Sequence, residues 1–147
     1  MKRLLPLLLI ISLFTYSSCK AEPSAYEILT EFSAAYGAEG IIYSPEVAEG
    51  NEGYIQDGLV ERVFLFTEGM PGNYAILLNT HLDSPAECGV FVCGDSGEVR
   101  ACEEIALERV RLLSGEEGFV RRRGRVVYYS TLSDSERAEE LFKEIIN

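Results

Sequence analysis

The chain has 147 residues and a mass of 16.3 kDa, enough for one domain with its own core and too little for two ordinary ones. Apolar residues make up 47 % and charged residues 25 %, with 13 glycines and 5 prolines, a composition that argues against a disordered chain, a collagen-like fibre or a coiled-coil rod. With 24 acidic against 13 basic side chains the formal charge is −11, which disfavours nucleic acid as a partner.

Lys2 and Arg3 precede an apolar run over residues 4–16 that ends in Ser17, Ser18 and Cys19. A basic start followed by a short apolar core is the pattern of a secretion signal, and the run falls short of the roughly 20 residues that cross a bilayer as a helix. Tyr16-Ser17-Ser18-Cys19 resembles the cleavage box of bacterial lipoproteins, in which the cysteine becomes the lipidated first residue. Tyr16 stands where leucine is usual, so ordinary secretion stays as the alternative. The expected organisation is a signal peptide over 1–18, a tether over 19–23 and one globular domain over 24–147, at the outer face of the cytoplasmic membrane. Processing there removes Lys2 and Arg3 and no acid, which takes the net charge from −11 to −13.

Ser24 with Glu27 three residues later is a capping box that starts a helix through about residue 36. Ala25, Ile28, Leu29, Phe32, Ala35 and Tyr36 share one face of it at helical spacing, so it is expected to cover a sheet. Residues 37–57 are rich in glycine and acid, with a short helix expected after Pro45. Residues 59–67 cluster β-branched and aromatic side chains and read as an extended element, with a helix end as the alternative. A turn over 69–73 leads into two apolar runs, 74–80 and 87–93, which predict central strands buried on both faces and paired antiparallel.

Asp95 with Glu98 predicts the cap of a helix reaching about residue 113, with Val99, Cys102, Ile105, Ala106, Val110 and Leu113 as its apolar stripe. Arg109 lies inside that stripe. An arginine there either snorkels past its neighbours or is paired with a buried acid. A basic bend, Arg121-Arg122-Arg123-Gly124-Arg125, precedes a strand over 126–129, and Ser133 with Glu136 predicts the cap of a last helix that buries Ala138, Leu141, Phe142 and Ile145. The fold expected is α+β: a two-layer α/β sandwich with a small mixed sheet and a C-terminal β-α-β-α unit. If the strands at 89–93 and 125–130 share a sheet, a right-handed crossover with the intervening helix on one face is expected between them.

The lipid-type signal, the early Tyr26-Glu27-Ile28-Leu29 helix, the strand and helix over 90–113, and Tyr128-Tyr129-Ser130 followed by residues 134–143 together resemble a family of small uncharacterised envelope lipoproteins of clostridial-type Gram-positive bacteria. The resemblance spans most of residues 24–146 and rests on apolar patterns. It implies an envelope location and carries no active-site residues.

Of the body cysteines, Cys88 and Cys93 are about 16 Å apart if the segment between them is extended, beyond the roughly 7 Å that a disulfide spans. A bridge therefore requires Cys102, and Cys93 with Cys102 is the simpler pairing; the alternative is three buried, reduced side chains. His81 with Asp83 forms the single histidine-containing constellation, a candidate polar site on a loop, and a Cys–His nucleophile pair of His81 with Cys88 or Cys93 is recognised by its geometry. Apolar strand surroundings are expected to raise both thiol pKa values. One histidine with no spaced second ligand, and no glycine-rich phosphate loop, nucleophile elbow or HExxH helix, leaves no metal or cofactor expected.

Arg121, Arg122, Arg123 and Arg125 concentrate positive charge in a net acidic chain. They suit an anionic surface or an acidic envelope protein, at about 1 kcal/mol per lipid-facing charge; the alternative is a hairpin turn whose arginines reach back to neighbouring glutamates. The functional expectation is an extracytoplasmic lipid-anchored binding module. Its rivals are a small envelope enzyme using His81 with Asp83 or a cysteine, and a structural component that self-associates.

Overall fold

A computed structural model describes residues 22–56, 71–79, 86–114 and 117–147. Among the described residues five antiparallel strands form the sheet: β1 (Ile41–Tyr43), β2 (Asn73–Leu78), β3 (Glu87–Val92), β4 (Phe119–Arg123) and β5 (Val126–Ser130), in spatial order β1-β2-β3-β5-β4. Among the described residues the helices are α1 (Ala25–Tyr36), α2 (Ser96–Ser114) and α3 (Ser135–Ile145). The α+β sandwich expected from the pattern is present.

Strand alternation divides the core in two. Ala75, Leu77, Cys88, Val90 and Tyr128 point to one face, where they meet Ala25, Ile28, Leu29 and Phe32 of α1 and Ala138 and Phe142 of α3. Phe32 and Phe142 stack there with ring centroids 3.9 Å apart. Tyr74, Ile76, Phe91, Val127 and Tyr129 point to the other face and meet Val99, Cys102, Ala106 and Val110 of α2. The sheet and the α1–α3 layer form the sandwich, and α2 adds a layer behind it. This double cover is why β2, β3 and β5 read as nearly continuous apolar runs.

The sheet is antiparallel throughout, and the mixed sheet expected from the sequence is corrected accordingly. The reason is β4. Of the segment expected to be a basic bend, Gly124 and Arg125 form the turn, while Arg121, Arg122 and Arg123 belong to a strand of their own, paired with β5 from Phe119↔Ser130 to Arg123↔Val126. The chain leaves β3, crosses through α2, runs up β4 and reverses at Gly124 (φ 57°), so β5 enters between β3 and β4 and lies antiparallel to both. The C-terminal unit is β-α-β-β-α rather than β-α-β-α, and the direct crossover between β3 and β5 is replaced by this longer path.

The helix starts follow side-chain chemistry. Ser24 and Glu27 form the expected capping box on α1, and Gly37 at φ 77° closes it in the left-handed conformation. Asp95 Oδ1 accepts from the backbone N–H groups of Gly97 and Glu98, while the Glu98 carboxylate accepts from Gly94 N–H. The third cap is displaced by one residue, because Asp134 rather than Ser133 accepts from Arg137 N–H. After Pro45 the chain makes turns instead of the expected short helix, with Val47 N–H bonded to Ser44 O and Asn51 N–H to Ala48 O. The extended element expected over 59–67 lies outside the described residues.

Candidate functional site

The β4–β5 hairpin carries the four candidate arginines, and strand geometry distributes them. Arg121 follows Phe119 by two residues and shares its face, where it binds Glu139 of α3 through two bonds of 3.0 and 2.7 Å and lies over the Phe119 ring. Arg123, two residues further, donates to the Asn147 side chain. Arg122 falls on the opposite face and approaches Glu103 of α2 at 3.8 Å. Past the turn, Arg125 donates to Glu22 at 3.1 Å and to Gly94 O at 3.4 Å. Three of the four arginines thus reach back to glutamates.

Glu139 also binds Lys143 at 2.6 Å. Lys143 first and Arg121 second stabilise its charged form and hold its carboxyl below the usual value. A groove of about 370 Å³ lies beside the turn, lined by Pro23, Ile28, Val92, Val126 and Ile146 together with Glu22, Arg123 and Arg125.

Behind the sheet is a charge cluster that the sequence announced by half. Arg109 of α2 is paired with Glu87 of β3 by two bonds of 3.1 and 2.5 Å, and Glu87 is 3 % exposed. Tyr129 donates its hydroxyl to the same carboxylate. The ring reaches it by lying across Gly89, its register partner on β3, where a Cβ would stand 2.1 Å from a ring carbon. Among the described residues no buried side-chain nitrogen or oxygen lacks a partner, so this cluster is closed. Burial first, and then the neighbouring Glu87 charge, push the Tyr129 hydroxyl well above its ordinary pKa, while the Glu87 bond raises that of Arg109. It has the chemistry of a structural lock.

The cysteines divide by face. Cys88 lies in the α1–α3 core, donates to Ser130 Oγ at 3.3 Å, and has its thiol pushed up to about 12 by burial. Cys93, just past β3, and Cys102, on α2, both lie in the other core. All three are free and buried. Cys88 and Cys93 therefore stand on opposite faces, and Cys102 is the neighbour of Cys93. The Cys102 thiol donates to Cys93, which lowers the pKa of Cys93 and raises that of Cys102. The expected rise holds for Cys88 and is reversed at Cys93, because a sulfur neighbour outweighs desolvation there. His81, Asp83 and Cys19 lie outside the described residues.

Among the described residues no cluster of three or more His, Cys, Asp or Glu side chains is arranged to hold a metal ion, and no helix is long and apolar enough to cross a membrane. Comparison with models of protein families, with curated proteins and with solved structures found no match.

Proposed function

We propose that this chain is an extracytoplasmic binding module, held at the outer face of the cytoplasmic membrane by a lipid on Cys19. The observation that carries the reading is the β4–β5 hairpin, which gathers four arginines at one end of a chain with net charge −11. Three of the four are paired with glutamates and Arg123 with a neutral amide, so the hairpin attracts an anionic partner by exchanging those surface pairs. The resemblance to clostridial-type envelope lipoproteins belongs to the same proposal. So does a Cys93–Cys102 disulfide, favoured by the contact of the two thiols and by an oxidising exterior, where an exchanging disulfide takes up the two electrons and two protons.

Intact-mass spectrometry of the protein extracted from its native membrane, before and after reduction, tests this. The expected mass is that of residues 19–147 plus a diacylglycerol group, gaining two hydrogens on reduction. A lipid-free mass with every thiol already reduced overturns both the anchor and the bridge.

A further inference from the structure

We propose that the open edge of β4 takes up an extended acidic peptide as an added strand, with the peptide's apolar side chains on the α2 side and its carboxylates on the α3 side. This rests on the reading of the hairpin as the binding element, names the chemistry of its partner, and is independent of the lipid.

Three observations carry it. First, β4 ends the described sheet, and its outward backbone groups follow from the hairpin. The loop is Gly124–Arg125, so the flanking pair Arg123↔Val126 exchanges both ladder bonds. By alternation Arg121 and Phe119 also bond to β5, while Val120 and Arg122 turn their N–H and C=O groups outward. The Val120 carbonyl accepts from the Arg121 guanidinium at 3.0 Å, a side chain standing where a neighbouring strand would bond.

Second, an apolar groove runs between that edge and α2. It has a volume of about 490 Å³ and is lined by Leu107, Val110 and Val120 together with Arg111 and Arg121, and by no acid. Leu107 is 41 % exposed there. A strand added beside β4 alternates its side chains between the two sides of the sheet, so every second one enters this groove.

Third, the intervening side chains meet cations. On the α3 side Tyr128, the register partner of Arg121, feels the charges of Lys143, Arg121 and Arg123 against that of one acid, Glu139. Glu139 is shared by Arg121 and Lys143, and Arg123 is bonded to the neutral amide of Asn147. Carboxylates on the added strand stand beside Arg121 and Arg123 as cross-strand pairs of opposite charge, whereas a second copy of β4 brings arginine against arginine. Main-chain bonds supply the affinity, and the alternation of apolar and acidic residues supplies the choice of partner.

The test uses the full chain carrying Cys19→Ser and a dye-labelled peptide of about eight alternating glutamate and valine residues, blocked at both ends. Fluorescence anisotropy gives its Kd. The counterpart with lysine in place of glutamate is the control, which a chain of net charge −11 prefers unless the edge selects otherwise. The glutamate peptide is expected to bind about tenfold more tightly than the lysine peptide. N-methylation of one alternate set of its residues is expected to weaken binding about tenfold and that of the other set to be tolerated, because a strand donates to one neighbour from every second residue. Leu107→Glu is expected to weaken binding about tenfold, whereas Leu112→Glu, which adds the same charge at a 75 % exposed position outside the groove, leaves it unchanged. The methylated peptides probe the same contact with no substitution on the α2 side, so the result does not depend on how a variant folds. Tolerance of both methylated peptides, or equal weakening by both leucine variants, overturns strand addition at β4 and leaves the hairpin's attraction for anions standing. A preference for the lysine peptide, or binding of neither, overturns that attraction and this proposal together.

Discussion

Arg109 and Glu87 form a deeply buried ion pair, with Glu87 3 % exposed. Both charges lie under the sheet, and each is tolerated because the other is there: the carboxylate accepts two bonds from the guanidinium and one from Tyr129. Removing one partner strands a buried charge. Arg109→Met is therefore expected to cost about 3–5 kcal/mol in chemical denaturation, and adding Glu87→Gln is expected to recover most of that loss, since the amide still accepts from Tyr129 and leaves no charge buried. A double variant as unstable as the single one contradicts this account. Glu139 makes the opposite kind of case, near the surface and titratable. Its folded-state pKa is depressed by Lys143 and Arg121, so the native state binds fewer protons than the unfolded chain. The stability it contributes is present above the unfolded carboxylate pKa and is lost as pH falls through the lower, folded value. Glu139→Gln is expected to melt lower than the parent at neutral pH, by about 0.2–1 kcal/mol, with the gap closing in acid. Thermal melts from pH 7 to pH 2 check this, and a gap independent of pH refutes it.

At the scale of elements, the cap of α3 separates two neighbouring residues of similar appearance. Asp134→Ala removes the acceptor for Arg137 N–H and is expected to cost about 1 kcal/mol, whereas Ser133→Ala is expected to change stability by less than about 0.5 kcal/mol. Urea unfolding of the two variants decides between them. The displaced cap illustrates what is legible locally and what is not. Apolar spacing identified α1, α2, α3, β2, β3 and β5, because each presents a regular stripe or run to a core. β4 was hidden for a physical reason: in Phe119-Val120-Arg121-Arg122-Arg123 three charges occupy consecutive positions, and the long side chains reach helices on both faces instead of packing beneath them. β1 has three residues, all half-buried, too few to display an alternation. The candidate site was legible in the same partial way. Arg109 stood out within an apolar stripe, but its partner lies 22 residues away at the start of an apolar strand, and only the packing of α2 against the sheet selects it.

The whole molecule must also keep its sheet from growing. β4 ends the described sheet, and an end strand offers backbone donors and acceptors to a second copy unless something opposes pairing. Arg121, Arg122 and Arg123 supply that opposition. Two copies approaching edge to edge in antiparallel fashion bring arginine against arginine, and like charges directly opposite one another are destabilising. The same arginines that make the hairpin attractive to an anionic partner thus make it repulsive to itself, which links the solution state to the binding role. Sedimentation velocity across a concentration series is expected to show a monomer for the parent chain freed of lipid by Cys19→Ser. Replacing two of the guarding charges, Arg122→Val with Arg123→Val, is expected to shift the distribution towards dimers, because β-branched residues favour strand pairing and the repulsion is gone. Dimers in the parent chain at the same concentrations contradict the argument and favour a self-associating structural component, since an edge that pairs with its own copy is no longer free to meet an anionic partner.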